Sequence, residues 1–190
     1  MLPDVRRGIL GGTFDPPHIG HLVAGETALH QLHLDVVSFL PAGAPWQKAG
    51  RPVTDSDHRW EMTKLAVEGI DYFAADDREV HRPGWTYTID TLESLPESET
   101  LVLILGADAA AALPTWHRWR EVVARAAIAV APRRGAEPTA VEGADLIELD
   151  MPLIDVSGTE LRARLHRRAS VRFLVRDRVW DYLTEHGLYG

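Results

Sequence analysis

The sequence predicts a doubly wound α/β fold, a mostly parallel sheet with helices on both faces, built as one domain over residues 1–190. Two observations lead there. Short apolar runs that suit buried strands alternate with stretches whose apolar residues return at helical spacing, as expected when strands are joined by crossover helices. Segments rich in Gly, Ser, Thr and Asp follow those runs, and the carboxyl ends of strands are where an open parallel sheet takes its ligands. The chain is long enough to bury a core, and no internal repeat, low-complexity run or long linker divides it.

The first strand, turn and helix start lie in Ile9-Leu10-Gly11-Gly12-Thr13-Phe14-Asp15-Pro16-Pro17-His18-Ile19-Gly20-His21-Leu22. Gly11 and Gly12 lack Cβ, so the backbone is free to turn sharply after the strand and to bring its N–H groups near a ligand. Pro16 and Pro17 oppose a helix start before His18. From His18 onward Ile19, Leu22, Val23, Leu29 and Leu32 recur at roughly helical spacing, which puts His18 and His21 on one side of the first turn. Unpaired N–H groups and the positive end of the helix dipole favour an anion there, and phosphate is the best candidate. A metal held by the two histidines is the minor alternative.

Val36 to Pro41 reads as a second strand ended by proline. The loop after it carries Pro45-Trp46-Gln47-Lys48, which suits a lid over a ligand, or a tryptophan folded onto the core beside a solvated lysine. Thr54 to Asp57 supply caps for a helix reaching about Glu68. Arg59 near the start of that helix is misplaced on dipole grounds, a hint of an ion pair or anion contact, with plain solvation as the default. Tyr72 to Arg82 is mixed, a strand plus an irregular edge. Gly84-Trp85-Thr86-Tyr87-Thr88-Ile89-Asp90-Thr91-Leu92 enters a short helix and presents N–H groups at its start.

Leu101 to Leu105 is the clearest buried strand and ends in Gly106-Ala107-Asp108, where Asp108 suits a ribose hydroxyl or a helix cap equally. Leu113 to Trp119 opens a helix through about Arg125, with Trp116 and Trp119 on one side, one for the core and one for stacking. Ile128 to Ala131 is another strand, followed by Arg133-Arg134-Gly135, and Leu146 to Leu149 is edge-like. In Ile154-Asp155-Val156-Ser157-Gly158-Thr159-Glu160-Leu161-Arg162, Ser157 is a natural N-cap and Glu160 completes a capping-box pattern. That segment is a second phosphate site or a plain capped helix. An amphipathic helix from about Asp177 to Glu185 closes the chain and stops at Gly187.

Composition narrows the chemistry. A formal charge of −8 opposes a general nucleic-acid binder, so an anionic substrate must meet local positive charge instead. With no cysteine there is neither a disulfide frame nor a thiolate zinc site. No apolar stretch approaches the length of a membrane span, and the charged residues before the first strand do not resemble a signal peptide, so the cytoplasm is the expected compartment.

GGTFDPPHIGH joins a Gly-Thr-Phe-Asp entry to a His-X-Gly-His signature, and so resembles the nucleotidyltransferase α/β phosphodiesterase superfamily, with its Rossmann-like sheet. Together with the PWQK loop, WTYTIDTL, LGAD, LPTWHRW, VSGTELR and the closing HGLY, the stretch from Ile9 to Tyr189 resembles the bacterial nicotinate-mononucleotide adenylyltransferases. The resemblance implies adenylyl transfer from ATP to nicotinate mononucleotide, with Mg²⁺ arriving on the ATP, bound mainly by phosphate oxygens and water. It implies that Gly11, Gly12, Thr13 and Phe14 line the phosphate turn. His18, His21, Ser157, Thr159 and Arg162 would hold ATP, and Lys48 would reach its phosphates. Thr86, Tyr87, Asp108 and Trp116 would surround the mononucleotide, with Arg133 as a weaker candidate. Backbone N–H groups near Thr86 and His117 would receive the ring carboxylate.

The sequence departs from the family pattern at Gly158, where a second serine is usual, and at Arg134, which replaces the proline of an Arg-Pro-Gly. A sibling transferase with another phosphorylated acceptor, or a nucleotide-binding protein without catalysis, are the alternatives. Neither nucleic acid nor membrane is an expected partner, and the sequence does not give the oligomeric state.

Overall fold

The computed structural model describes residues 5–44, 52–135 and 140–190. In chain order the elements are β1 (Arg6–Gly12), α1 (Ile19–Gln31), β2 (Val36–Pro41), α2 (Ser56–Val67), β3 (Phe73–Ala75), α3 (Thr88–Glu93), β4 (Thr100–Gly106), α4 (Ala107–Ala111), α5 (Trp119–Arg125), β5 (Ala126–Ala131), β6 (Leu146–Glu148), α6 (Gly158–His166) and α7 (Asp177–Glu185). The strands form one six-stranded sheet in the order β3-β2-β1-β4-β5-β6, and every pair is parallel. The order reverses between β1 and β4, which creates a crevice at the carboxyl ends of those two strands.

The buried middles of the central strands β1 and β4 are free of charged and polar side chains because helices cover both faces. Along β4 the pleat sends Leu101, Leu103 and Leu105 to one side, with Ile9 and Ile128, and Val102 and Ile104 to the other, with Leu10 and Ala129. A third cluster, Met62, Leu161, Val171, Val179 and Leu183, packs α6 and α7 onto α2 and brings the end of the chain back towards the crevice. Helix α1 buries Ala24, Gly25, Ala28 and Leu29. Leu22 and Leu32, partly buried, pack against the cluster that includes Ala24, Ala28 and Leu29.

Two expectations need correction. Gly11 and Gly12 do not make the turn: both stay in β1, and the left-handed residue is Phe14, at φ 49°. That conformation is unfavourable for a side chain with Cβ, and burial of the ring in the core holds it in place. Between Tyr72 and Arg82 the expected strand is present as Phe73–Ala75, at the edge of the sheet, and the rest is irregular.

The helix expected from Leu113 is broken. A 3-10 turn spans Leu113–Thr115, Trp116 is extended, Arg118 is left-handed at φ 51°, and α5 begins at Trp119. The guanidinium of Arg118 donates to both Glu93 and Glu121, which ties the break to α3.

Candidate active site

Two cavities open at the reversal point. The larger, about 440 Å³, runs from His18 and His21 past Gly106 and Arg133 to Ser157 and Gly158. The smaller, about 380 Å³, lies between Thr13, Glu79, Thr86, Thr91 and Trp116. Gly11, Leu105, Asp108 and Ala109 border both. A Cβ at Gly11 would meet nothing within 4 Å, so a side chain there would project into this seam.

At the seam the histidines form a stacked pair. Their ring centroids are 3.7 Å apart and their planes differ by 24°. His18 is the N-cap of α1, and its backbone N–H donates to Nδ1 of His21 at 3.1 Å, which sets the His21 ring. Phe14 meets His21 edge-on from below at 4.9 Å, so the expected cavity-lining Phe14 is a buried support for the histidine instead. Burial pushes His18 down to about 4, so the ring is neutral at physiological pH. Its Nδ1 is buried without a hydrogen-bond partner among the described residues. A buried polar atom left unpaired at a cavity wall calls for a ligand.

Across the larger cavity, Ser157 caps α6 by accepting from the Glu160 N–H at 3.2 Å, so this expected cap is present. A Cβ at Gly158 would sit 3.0 Å from the Asp15 carbonyl oxygen and 3.2 Å from Nη1 of Arg162. Glycine where the family pattern has serine therefore lets α6 close onto the turn after β1. Arg162 donates to the Asp15 carbonyl at 2.6 Å and to the Thr159 hydroxyl at 3.3 Å, which leaves its cationic head at the edge of the phosphate turn.

Asp15 is itself buried, and its carboxylate accepts from the Tyr189 hydroxyl and faces Arg162 at 3.6 Å. Burial, reinforced by Asp15, pushes the Tyr189 phenol up, so it remains the donor. The closing HGLY thus latches the end of the chain to the phosphate turn, a role its motif alone did not reveal.

Arg59 overturns the solvated default. It is 2% exposed and donates to four backbone carbonyls: Thr54 at 2.8 Å, Thr13 at 3.0 Å, Ala42 at 2.5 Å and Gly43 at 2.9 Å. One guanidinium thereby joins the turns after β1 and β2 to the start of α2. The dipole misfit was the signal in the sequence, and backbone carbonyls are the answer to it.

In the smaller cavity Thr86 is buried, but its N–H already donates to Ala44 at 3.1 Å and its hydroxyl accepts from the Ala44 N–H at 3.2 Å. This corrects the expectation of a free Thr86 N–H. Trp116 lines the cavity and packs against the core, whereas Tyr87 and His117 contact each other with ring centroids 4.5 Å apart and planes tilted by 37°, and stand outside both linings. His117 lies before α5, so it is not at a helix start.

Asp108, at the seam, pairs with Arg133, which lines the larger cavity and not the one around Trp116. Lys48 and the rest of the Pro45–Lys48 segment lie outside the described residues. Glu79, buried in the smaller cavity, carried no recognisable motif.

Fold and site together define an α/β protein in which two helix N-termini and a histidine pair border the larger of two adjoining cavities. The profile of the cytidylyltransferase-like family matches residues 9–164. A probable nicotinate-nucleotide adenylyltransferase of Dehalococcoides mccartyi is 40% identical, over 97% of each chain. One of Methylibium petroleiphilum is 41% identical, over 93% of this chain and 87% of its own. A structure of the Plasmodium falciparum nicotinic acid mononucleotide adenylyltransferase complexed with NaAD superposes with a TM-score of 0.78 over 97% of each chain at 18% identity, which shows the shared fold. The chain belongs to the cytidylyltransferase-like family and, within it, to the nicotinate-nucleotide adenylyltransferases.

Proposed function

We propose that this protein joins the adenylyl group of ATP to nicotinate mononucleotide, giving nicotinate adenine dinucleotide and pyrophosphate. The observation that supports this most is the pair of cavities meeting at Gly11 and Asp108, because a two-substrate transfer needs two pockets with a common wall. ATP occupies the His18 cavity, with its phosphates between α1 and α6, and the mononucleotide occupies the Trp116 cavity, with its own phosphate at the seam. A neighbour of the same fold solved with NaAD supports the same chemistry.

The mononucleotide phosphate is ionised at neutral pH and needs no base. The protein's task is to bring two anions into line and to stabilise charge on the α-phosphate and the departing pyrophosphate. His18 donates to a phosphate oxygen from its neutral ring, His21 flanks it, and Arg162 and the N–H groups of α6 receive the leaving group. Lys48 is the proposed further contact to the same phosphates, and Asp108 takes a ribose hydroxyl once Arg133 engages nucleotide. Mg²⁺ arrives on the ATP in this reading, bound mainly by phosphate oxygens and water. No described helix is long and apolar enough to cross a membrane, and the lack of cysteine suits a cytoplasmic enzyme.

Pyrophosphate release from ATP and Mg²⁺ is the test, with nicotinate mononucleotide, nicotinamide mononucleotide and pantetheine phosphate as acceptors. Release that requires a pyridine mononucleotide supports the proposal. Release with pantetheine phosphate alone identifies a sibling transferase, and none with any acceptor leaves only nucleotide binding.

A further inference from the structure

The carboxylate of Asp15 stands between two groups from the far end of the chain, and the proposed mechanism uses only one of them. Oδ1 accepts from the Tyr189 hydroxyl, while Oδ2 faces Nη1 of Arg162 at 3.6 Å and the Thr54 N–H at 3.5 Å. The Asp15 side chain is 4% exposed and that of Arg162 26%, so a buried anion lies beside a cation that reaches the cavity. Nη1 of Arg162 is held by the Asp15 carbonyl oxygen at 2.6 Å rather than by the carboxylate. Nη2 donates to the Thr159 hydroxyl at 3.3 Å, and Nε meets no acceptor among the described residues.

Asp15 therefore competes with phosphate for Arg162. A carboxylate and a guanidinium make their strongest contact as a fork of two parallel bonds, which needs both oxygens turned to the guanidinium. With Oδ1 tied to Tyr189, only Oδ2 faces Arg162, at a separation beyond an ordinary hydrogen bond. The charge of Arg59 also acts on Asp15, but Arg59 donates to four backbone carbonyls, whereas Arg162 keeps its Nε unengaged.

The phenol is seated for this task. Tyr189 is left-handed at φ 64°, and the Leu188 N–H donates to the Leu183 carbonyl at 3.0 Å, which folds the end of the chain back from α7. Burial and the bond to Asp15 push the phenol up, opposed by Thr54 and Arg162, so it stays a donor.

We propose that Tyr189 is a positioning residue for adenylyl transfer: its hydroxyl holds the Asp15 carboxylate off Arg162 and so leaves that guanidinium to the terminal phosphates of ATP and the departing pyrophosphate. This rests on the reading that places those phosphates between α1 and α6. Without the hydroxyl, a buried carboxylate short of one donor turns both oxygens to Arg162 and draws its charge away from the leaving group.

Calorimetry tests this with two probes, an ATP analogue bridged by methylene between its α- and β-phosphates, and AMP, which lacks the terminal phosphates. Tyr189→Phe should weaken the analogue about tenfold or more and leave AMP within about twofold. Asp15→Asn removes the competing charge, so the double variant should bind the analogue more tightly than Tyr189→Phe alone. A latch with a structural role only gives the opposite: the double variant is no better than the single one, and AMP weakens along with the analogue. Either result overturns the proposal, as does unchanged analogue binding by Tyr189→Phe. In pyrophosphate release with nicotinate mononucleotide, kcat should fall in Tyr189→Phe and recover in the double variant, with the KM for the mononucleotide unchanged. An unmodified protein that binds the analogue but transfers nothing to this acceptor loses the acceptor assignment, and the calorimetric comparison still decides the role of Tyr189. One that binds the analogue no more tightly than AMP loses the phosphate site, and the proposal with it.

Discussion

The ring of His18 lies 3.7 Å from that of His21, and the backbone N–H of the first fixes the ring of the second. One histidine is therefore the clamp that aims its neighbour. Because His18 is buried and held neutral, its protonation state links stability to pH.

For His18 the sign is as follows. The unfolded chain binds a proton near the ordinary pKa of 6.5, while the folded chain does so only near 4, so folding is opposed by acid across that window. Stability should be fully present above pH 6.5 and fall progressively towards pH 4, by up to roughly 3 kcal/mol from this residue. Denaturant midpoints at several pH values check it, with His18→Gln giving a flatter curve over the same range. Equal slopes for the two proteins would show that His18 is not the group responsible.

His21→Ala is expected to cut turnover on the order of a hundredfold or more, since one contact to developing phosphate charge is removed. The fold should lose only about 1 kcal/mol, the value of one hydrogen bond to the His18 N–H. Turnover and thermal unfolding measured on one preparation separate the effects. A folded variant with near-normal turnover would exclude His21 from the phosphate site.

Arg59→Met should destabilise the protein by at least about 3 kcal/mol, because the carbonyls of Thr54, Thr13, Ala42 and Gly43 lose their shared donor. Arg59→Lys should recover little, since an ammonium does not reproduce the fork of a guanidinium. Urea unfolding of the three proteins provides the comparison. A Met variant as stable as the parent would mean that these carbonyls find water.

Much of this was legible in the chain. Apolar runs marked five strands of the sheet, all but the short edge strand β3, and the caps at Asp55 and Ser157 lie where short polar residues precede a helical pattern. What escaped were relationships across long stretches of sequence. The carbonyls that bury Arg59 come from turns after two different strands, and Tyr189 finds Asp15 from the far end of the chain. Helical spacing hid the break at Trp116 to Arg118, because Arg118 is held by Glu93 of another helix. The histidine turn was readable because its geometry is local: a helix start and two side chains on one face.

The acid should be preferred over the amide mononucleotide by at least roughly tenfold in specificity constant, as an unpaired donor in a closed pocket costs about 1–3 kcal/mol. Trp116→Ala should weaken both substrates and leave the ratio nearly intact, since a stacking face does not distinguish them. Steady-state kinetics with the two mononucleotides measure both effects. A ratio that collapses in the Trp116 variant would place the discrimination at that ring.

The central claim is that acceptor and ATP sit in adjoining cavities and react directly across the seam at Gly11. The stereochemical course at the α-phosphorus tests it most directly, using ATP made chiral there by a single sulfur and determining the configuration of the dinucleotide formed. One in-line displacement requires inversion. Retention would mean two displacements through an adenylylated side chain, and would contradict the direct transfer proposed for these two cavities.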